Sequence, residues 1–273
     1  MSRAADLLAA LAAALGGWLS GLLGWAEGAA WRGPALAGLV AAAVALPGIA
    51  ALPVTDRDEG RFAQATKQMM ETGDYVDIRF QDQPRWKKPA GIYWLQAGVA
   101  SLAGGADAPI WAYRIPSALA VILAAMAAAW AARPLVGGAA GALAGLVLAT
   151  PVLVAGEANI AKTDAALLLT ATLAFGALAR ALTGQAGRAT WLVFWIAISA
   201  AILLKGPIVP LVALLAVFCT WAASGELPAR GSLKPLYGLP LAALLATPWL
   251  VAIWIVSDGA FFRESVGEDL LAK

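Results

Sequence analysis

Residues 55–89 read TDRDEGRFAQATKQMMETGDYVDIRFQDQPRWKKP, a hydrophilic island in an otherwise apolar chain. Seven acids (Asp56, Asp58, Glu59, Glu71, Asp74, Asp77, Asp82) and seven bases (Arg57, Arg61, Lys67, Arg79, Arg85, Lys87, Lys88) fall within it. On both sides lie long runs of Ala, Leu, Val, Gly and Trp. Charge is expensive in bilayer surroundings, so a dense, charge-balanced segment between spans reads as a working surface more readily than as a tether.

Composition sets the frame. The 273 residues are 61% hydrophobic and 13% charged, and the mean hydropathy is +0.76. A soluble domain carries about twice that charge fraction, so an all-α polytopic membrane protein is expected. The net charge of +2 and the lack of a basic stripe argue against a nucleic-acid partner. Cys219 is the single cysteine, which excludes an internal disulfide and a thiolate metal site. Histidine is absent, which removes Ser-His-Asp triads, Cys-His dyads and His-ligated zinc. Acid, base and metal chemistry among these residues must run on carboxylates, Lys, Arg and Tyr.

A helical span needs ~20 apolar residues. Candidates lie at 34–53, 112–132, 136–156, 164–182, 189–205, 207–223 and 236–256. The apolar stretch 4–25, within an N-terminal segment 1–33, fits an extra span, an interfacial helix or a signal-like leader. Residues 90–105 are short for a span. The short connections at Arg133, at Arg180 and Arg188, and at Arg230 and Lys234 should be cytoplasmic. That places an outer loop, 54–110, on the opposite face, with residues 90–105 as a helix lying in the outer leaflet. The 157–164 turn, Lys205-Gly206-Pro207 and the tail from Ser257 share that face, so every polar motif gathers on one side of the membrane.

Within the island, Glu59, Ala63, Thr66 and Lys67 have helical spacing, and Gly73-Asp74 closes the segment. Phe62, Ala65, Met69 and Met70 share one face, which predicts an amphipathic helix on the membrane. Pro89 suits a first helical turn, and Tyr93 and Trp94 suit the interface belt. A first span followed by Asp58-Glu59-Gly60-Arg61-Phe62, then Gly73-Asp74, then Lys88-Pro89 and Tyr93-Trp94-Leu95, resembles the N-terminal half of GT-C membrane glycosyltransferases. The resemblance is to the bacterial aminoarabinose (lipid A) transferase and protein O-mannosyltransferase-like group. It covers roughly residues 34–260, with 34–256 as a GT-C-type transmembrane helix bundle carrying outer-face amphipathic helices.

The resemblance implies that Asp58 is the acidic residue of the catalytic centre, with Glu59 and Arg61 as its immediate partners. It implies that Lys88 faces the phosphate of a lipid-linked donor. In many relatives the preceding residue is acidic; here it is Lys87, a departure that makes the site more basic and weakens the case for a metal there. The chemistry points the same way. A polyprenyl-phosphate-linked sugar brings an anion to the membrane surface, its departure needs cations, and an acceptor hydroxyl needs a carboxylate to take its proton. Asp58 suits the base and Lys88 the clamp.

Asp164 matches in position a second acidic motif of GT-C enzymes, and it also reads as a helix cap, as does Thr163. Two carboxylates near one site could share a divalent cation, the one cofactor the pattern admits, or divide base and orienting roles. Glu157 and Lys162 read as a local pair. Lys205 either snorkels to the interface or meets a phosphate. Catalytic candidates are thus Asp58, Glu59 and Asp164, and substrate-binding candidates are Arg61, Lys88, Lys205 and Tyr93. The expected function is transfer of a sugar from a polyprenyl-phosphate donor to a glycolipid or protein acceptor at the outer face of the bacterial inner membrane. A transporter or flippase and a non-catalytic membrane scaffold are the competing classes. Residues 257–273 read as the start of a further outer loop, and the GT-C comparison leads one to expect a longer protein.

Overall fold

A computed structural model describes residues 2–225 and 230–267. A long apolar helix, α1 (Ser2–Glu27), leads into α2 (Arg32–Ala45). The island folds as α3 (Arg57–Thr72), a two-stranded antiparallel ribbon (β1 Arg79–Phe80, β2 Gln83–Pro84) and α4 (Gly91–Leu102). There follow α5 (Ile110–Val136), α6 (Gly138–Ala149), α7 (Val152–Ala158), α8 (Asp164–Leu182), α9 (Thr190–Lys205) and α10 (Ile208–Ser224). A short turn, α11 (Arg230–Leu233), precedes α12 (Pro235–Val256) and α13 (Ala260–Gly267). Among the described residues four helices are long and apolar enough to cross a membrane, five if α6 and α7 form one broken span. The expected all-α polytopic membrane architecture is what the chain adopts.

Four expected spans differ: those at 189–205 and 207–223 form α9 and α10, apolar helices of 16 and 17 residues that fall short of the helices counted above. The span at 34–53 is helical only to Ala45; Pro47 has no N–H to continue the ladder, and Gly48 turns at φ +90°. The span at 136–156 is broken at Pro151 and bent by 66° between α6 and α7, because proline removes a ladder hydrogen bond and crowds the turn before it. Residues 4–25 lie within one continuous helix, and 90–105 hold the twelve-residue α4, about 18 Å long and too short to cross a bilayer.

Small residues let the helices approach. Gly33, Ala37, Ala41 and Ala45 line the buried side of α2, and a Cβ on Gly145 of α6 would fall 2.7 Å from the Ala125 carbonyl oxygen of α5. Gly91 starts α4 against α9, where a Cβ would meet the Leu203 oxygen at 2.6 Å.

Polar contacts sort to two ends of the bundle. At one end Arg133 donates to the carbonyls of Ala26 and Glu27, and the Glu27 carboxylate accepts from the N–H groups of Gly138 and Ala139. Arg180 bonds the Trp130 carbonyl and lies over the Trp130 ring, and Lys234 lies over Trp191. The island, the 157–164 turn and Lys205 lie at the other end. This segregation is the one that the positive charges of the short connections require.

α3 forms as its spacing demands. Asp56 caps it, Gly73 closes it at φ +70°, and Phe62, Ala65 and Met69 are buried against the bundle while Met70 is half-buried. Gln68 holds the ribbon turn with both ends of its amide, at 2.8 and 2.9 Å to the carbonyl and N–H of Gln81.

Candidate active site

Asp56 begins the site. One carboxylate oxygen accepts from the N–H groups of Asp58 (2.6 Å) and Glu59 (3.2 Å), satisfying donors that the first helical turn leaves free. The other accepts from Lys162 Nζ at 3.1 Å, and Lys162 lies 3.8 Å from Glu157. The expected Glu157–Lys162 pair is therefore a triad that ties the start of α3 to the 157–164 turn. Burial pushes the Asp56 carboxyl up, but the hydrogen bonds from Lys162 and the two amides outweigh it and hold it below its ordinary range. Burial pulls Lys162 down, and the contacts to Asp56 and Glu157 more than reverse this.

Glu59 departs from expectation. It is 1% exposed, and its carboxylate is taken by Arg114, at 2.7 Å from Nε and 3.0 Å from Nη2. The same guanidinium donates to the carbonyls of Ile49 (3.0 Å), Leu52 (2.7 Å) and Pro53 (3.3 Å), in the stretch where α2 has come undone. Glu59 also accepts from the Ala161 N–H at 3.0 Å. Rather than standing beside Asp58, Glu59 locks the island to α5 and to the 157–164 turn. Arg114 was not among the sequence candidates. Its signal was a lone arginine in the first turns of an apolar span, where an ionisable residue needs a partner.

Asp58 points the other way. Its side chain is 53% exposed and lies 3.4 Å from Arg61, the partner expected for it. So exposed a pair contributes little stability and leaves the carboxylate available. Tyr93, expected in the interface belt and as a substrate contact, is instead wholly buried against Phe62, with its hydroxyl accepting from Arg85 Nε at 3.1 Å. Burial pushes its phenol up to about 12. Trp94 is half-buried, its indole N–H donating to the Tyr75 carbonyl.

Asp164 and Lys205 meet at 2.5 Å, joining the first residue of α8 to the last of α9. Each charge sits at the helix end that favours it. The expected cap is not formed: Thr163 occupies the N-cap position without a side-chain bond. Beside this pair Lys87, Lys88 and Lys205 line a cavity of about 510 Å³ whose wall is Ile202, Ile208, Leu250, Phe261 and Phe262. The two lysines singled out by sequence, 117 positions apart, thus share one cleft.

Among the described residues no three His, Cys, Asp or Glu converge on a point that could hold a metal ion. Asp56 and Glu157 share Lys162, and Asp164 pairs with Lys205, so lysines stand among these carboxylates. No step below uses a divalent ion.

A polytopic helix bundle whose carboxylates and lysines gather over one end, beside an apolar cleft, has the architecture of the GT-C superfamily. Residues 87–254 match the family described as dolichyl-phosphate-mannose-protein mannosyltransferase, and the chain belongs to it. It is 29% identical over 205 residues to the undecaprenyl phosphate-alpha-4-amino-4-deoxy-L-arabinose arabinosyl transferase of Aeromonas salmonicida (strain A449), and 28% identical over 202 residues to that of Edwardsiella ictaluri (strain 93-146). These matches cover 74% and 72% of this chain, which spans only 37% and 36% of those relatives' lengths. Two crystal structures of ArnT from Cupriavidus metallidurans, apo and bound to undecaprenyl phosphate, superpose with TM-scores of 0.74 and 0.76. Both are 22% identical and match 85% of this chain and 43% of theirs, a likeness of fold.

Proposed function

We propose that the protein transfers a sugar from a polyprenyl-phosphate donor to an acceptor hydroxyl of lipid A, another glycolipid or a protein, at the periplasmic face of the bacterial inner membrane. The observation that carries this reading is the cleft. Three lysines stand at its polar part and two phenylalanines with aliphatic side chains form its wall, which suits an anionic head on an isoprenoid tail. The relatives' names, which specify an undecaprenyl phosphate donor, and the ArnT structure bound to undecaprenyl phosphate support it. A flippase of lipid-linked sugars would suit the same cleft, but neither it nor a scaffold accounts for the transferase kinship.

In this reading Asp58 takes the proton of the acceptor hydroxyl while the oxygen attacks the anomeric carbon. The bond from that carbon to the donor phosphate oxygen breaks, and polyprenyl phosphate leaves with the electron pair. Lys88 and Lys205 stabilise the charge that grows on the phosphate. A positioned base contributes about 10²–10⁴-fold. Asp58→Asn should therefore abolish transfer while expression and membrane insertion persist, read as the glycolipid mass profile of cells complemented with the variant. A wild-type profile would remove Asp58 from the mechanism.

A further inference from the structure

Arg85 is a cation at this end of the molecule that the mechanism leaves unused. Its backbone N–H donates to the Ile78 carbonyl at 2.7 Å, which sets its place in the loop before α4. Its guanidinium lies 4.9 Å from the centroid of the Phe62 ring, and its Nε donates to the Tyr93 hydroxyl at 3.1 Å. Phe62 and Tyr93 are themselves buried, with ring centroids 5.3 Å apart. The side chain is thus fixed by a stacking face and an Nε anchor. Yet among the described residues neither Nη1 nor Nη2 meets an acceptor.

Phe62 lies one turn beyond Asp58 and Glu59 on α3, so a guanidinium stacked on Phe62 sits by the first turn of that helix, where Glu59 is buried and Asp58 is the carboxylate left exposed. The charge of Asp58 reaches the Tyr93 hydroxyl that Arg85 grips. Among the described residues Asp58 makes no hydrogen bond or ion pair with Arg85; its one side-chain contact is the exposed one to Arg61. A planar fork held in place, with its outer N–H groups unused, matches two oxygens of a phosphate or carboxylate, and little side-chain freedom remains to be lost on binding.

We propose that Arg85 is a substrate-recognition residue whose free fork takes two oxygens of a phosphate or carboxylate on the substrate bound beside Asp58. The inference rests on the transferase reading above. The oxyanion has two sources, the donor phosphate itself or an acid group on the transferred sugar or the acceptor.

The test uses the intact protein in lipid nanodiscs with two probes: undecaprenyl phosphate, and D-glucuronate added with saturating undecaprenyl phosphate, with glucose as the neutral control. If the oxyanion is the donor phosphate, Arg85→Gln weakens undecaprenyl phosphate binding by about 10–100-fold. If it is an acid on the sugar or acceptor, undecaprenyl phosphate binds as before and binding of glucuronate, but not glucose, is lost. In either case Arg85→Lys recovers only part of the affinity, because an ammonium cannot present a fork. Tyr93→Phe, which removes the Nε anchor and keeps the ring, weakens the same probe several-fold. A purely structural Arg85 would lower the melting temperature of Arg85→Gln and leave both affinities within twofold of wild type, or show no Arg85-dependent glucuronate binding beside unchanged undecaprenyl phosphate binding; that result overturns the proposal. Failure of the wild type to bind undecaprenyl phosphate would instead overturn the donor reading, and glucuronate titrated alone against wild type and Arg85→Gln would then decide Arg85, equal binding or none overturning the proposal.

Discussion

Replacing Arg114 by Met keeps most of the side chain's volume and removes its charge and all its donors. Arg114 is 1% exposed and makes two bonds to Glu59 and three to the carbonyls of Ile49, Leu52 and Pro53. Those carbonyls belong to no regular element, so no ladder partner replaces the lost donors. Removing one member of a buried ion pair costs about 3–5 kcal/mol, since the other charge is left uncompensated. At about 2–4 °C per kcal/mol for a chain of this size, the melting temperature should fall by on the order of 10 °C. Intrinsic fluorescence of the 12 tryptophans, followed on heating in nanodiscs, measures this directly. Glu59→Gln combined with Arg114→Met should recover part of the loss, because the unpaired carboxylate is then gone. Transfer should fall by more than the unfolded fraction explains, since residues 49–53 lead into the cap of α3 and so place Asp58. Melting of Arg114→Met within about 2 °C of wild type, with transfer intact, would refute the reasoning and mean that the loop is held by other contacts.

Other expectations follow from the same geometry. Lys88→Ala and Lys205→Ala should each weaken donor use by about tenfold or more in reconstituted vesicles, each removing a charge-assisted contact to a phosphate oxygen; wild-type kinetics in both would move the phosphate site elsewhere. The Asp56–Lys162 contact should contribute stability over a wide pH range. The Asp56 carboxyl is held below its ordinary 3.8, so its share is present above that value and lost as pH falls through the lower one. Lys162 is held above its ordinary 10.5, so its share is present below that value and lost as pH rises through the higher one. The difference in melting temperature between wild type and Asp56→Asn should then be flat across neutral pH; a difference that vanishes near pH 6 would contradict the assignment. In a Cys219→Ala background, a cysteine at Asp82 should be labelled from the periplasmic side and one at Gln185 only after permeabilisation. The reverse pattern would invert the topology and take the donor site with it.

What the sequence determined by itself was whatever depends on local composition. Long apolar runs partition into a bilayer irrespective of their neighbours, so the long helices α5, α8 and α12 could be read as spans. Span parity and the arginines of short connections then put Lys88 and Lys205 at one end, where they line one cleft. The amphipathic face of α3 was legible because Phe62, Ala65 and Met69 repeat with the helix period.

Only the tertiary structure decided which neighbour of that helix turned inward. Asp58 and Glu59 are adjacent carboxylates about 100° apart around α3, and nothing local distinguishes them. The choice was made by Arg114, 55 positions further on, whose burial demands a buried acid. The early end of α2 and the bend at Pro151 were likewise hidden, although both prolines were in view. A proline in an apolar run either kinks a span or ends it, and the outcome depends on what takes up the freed carbonyls. At the end of α2 the groups that do so are the N–H donors of Arg114, brought there from another helix by packing.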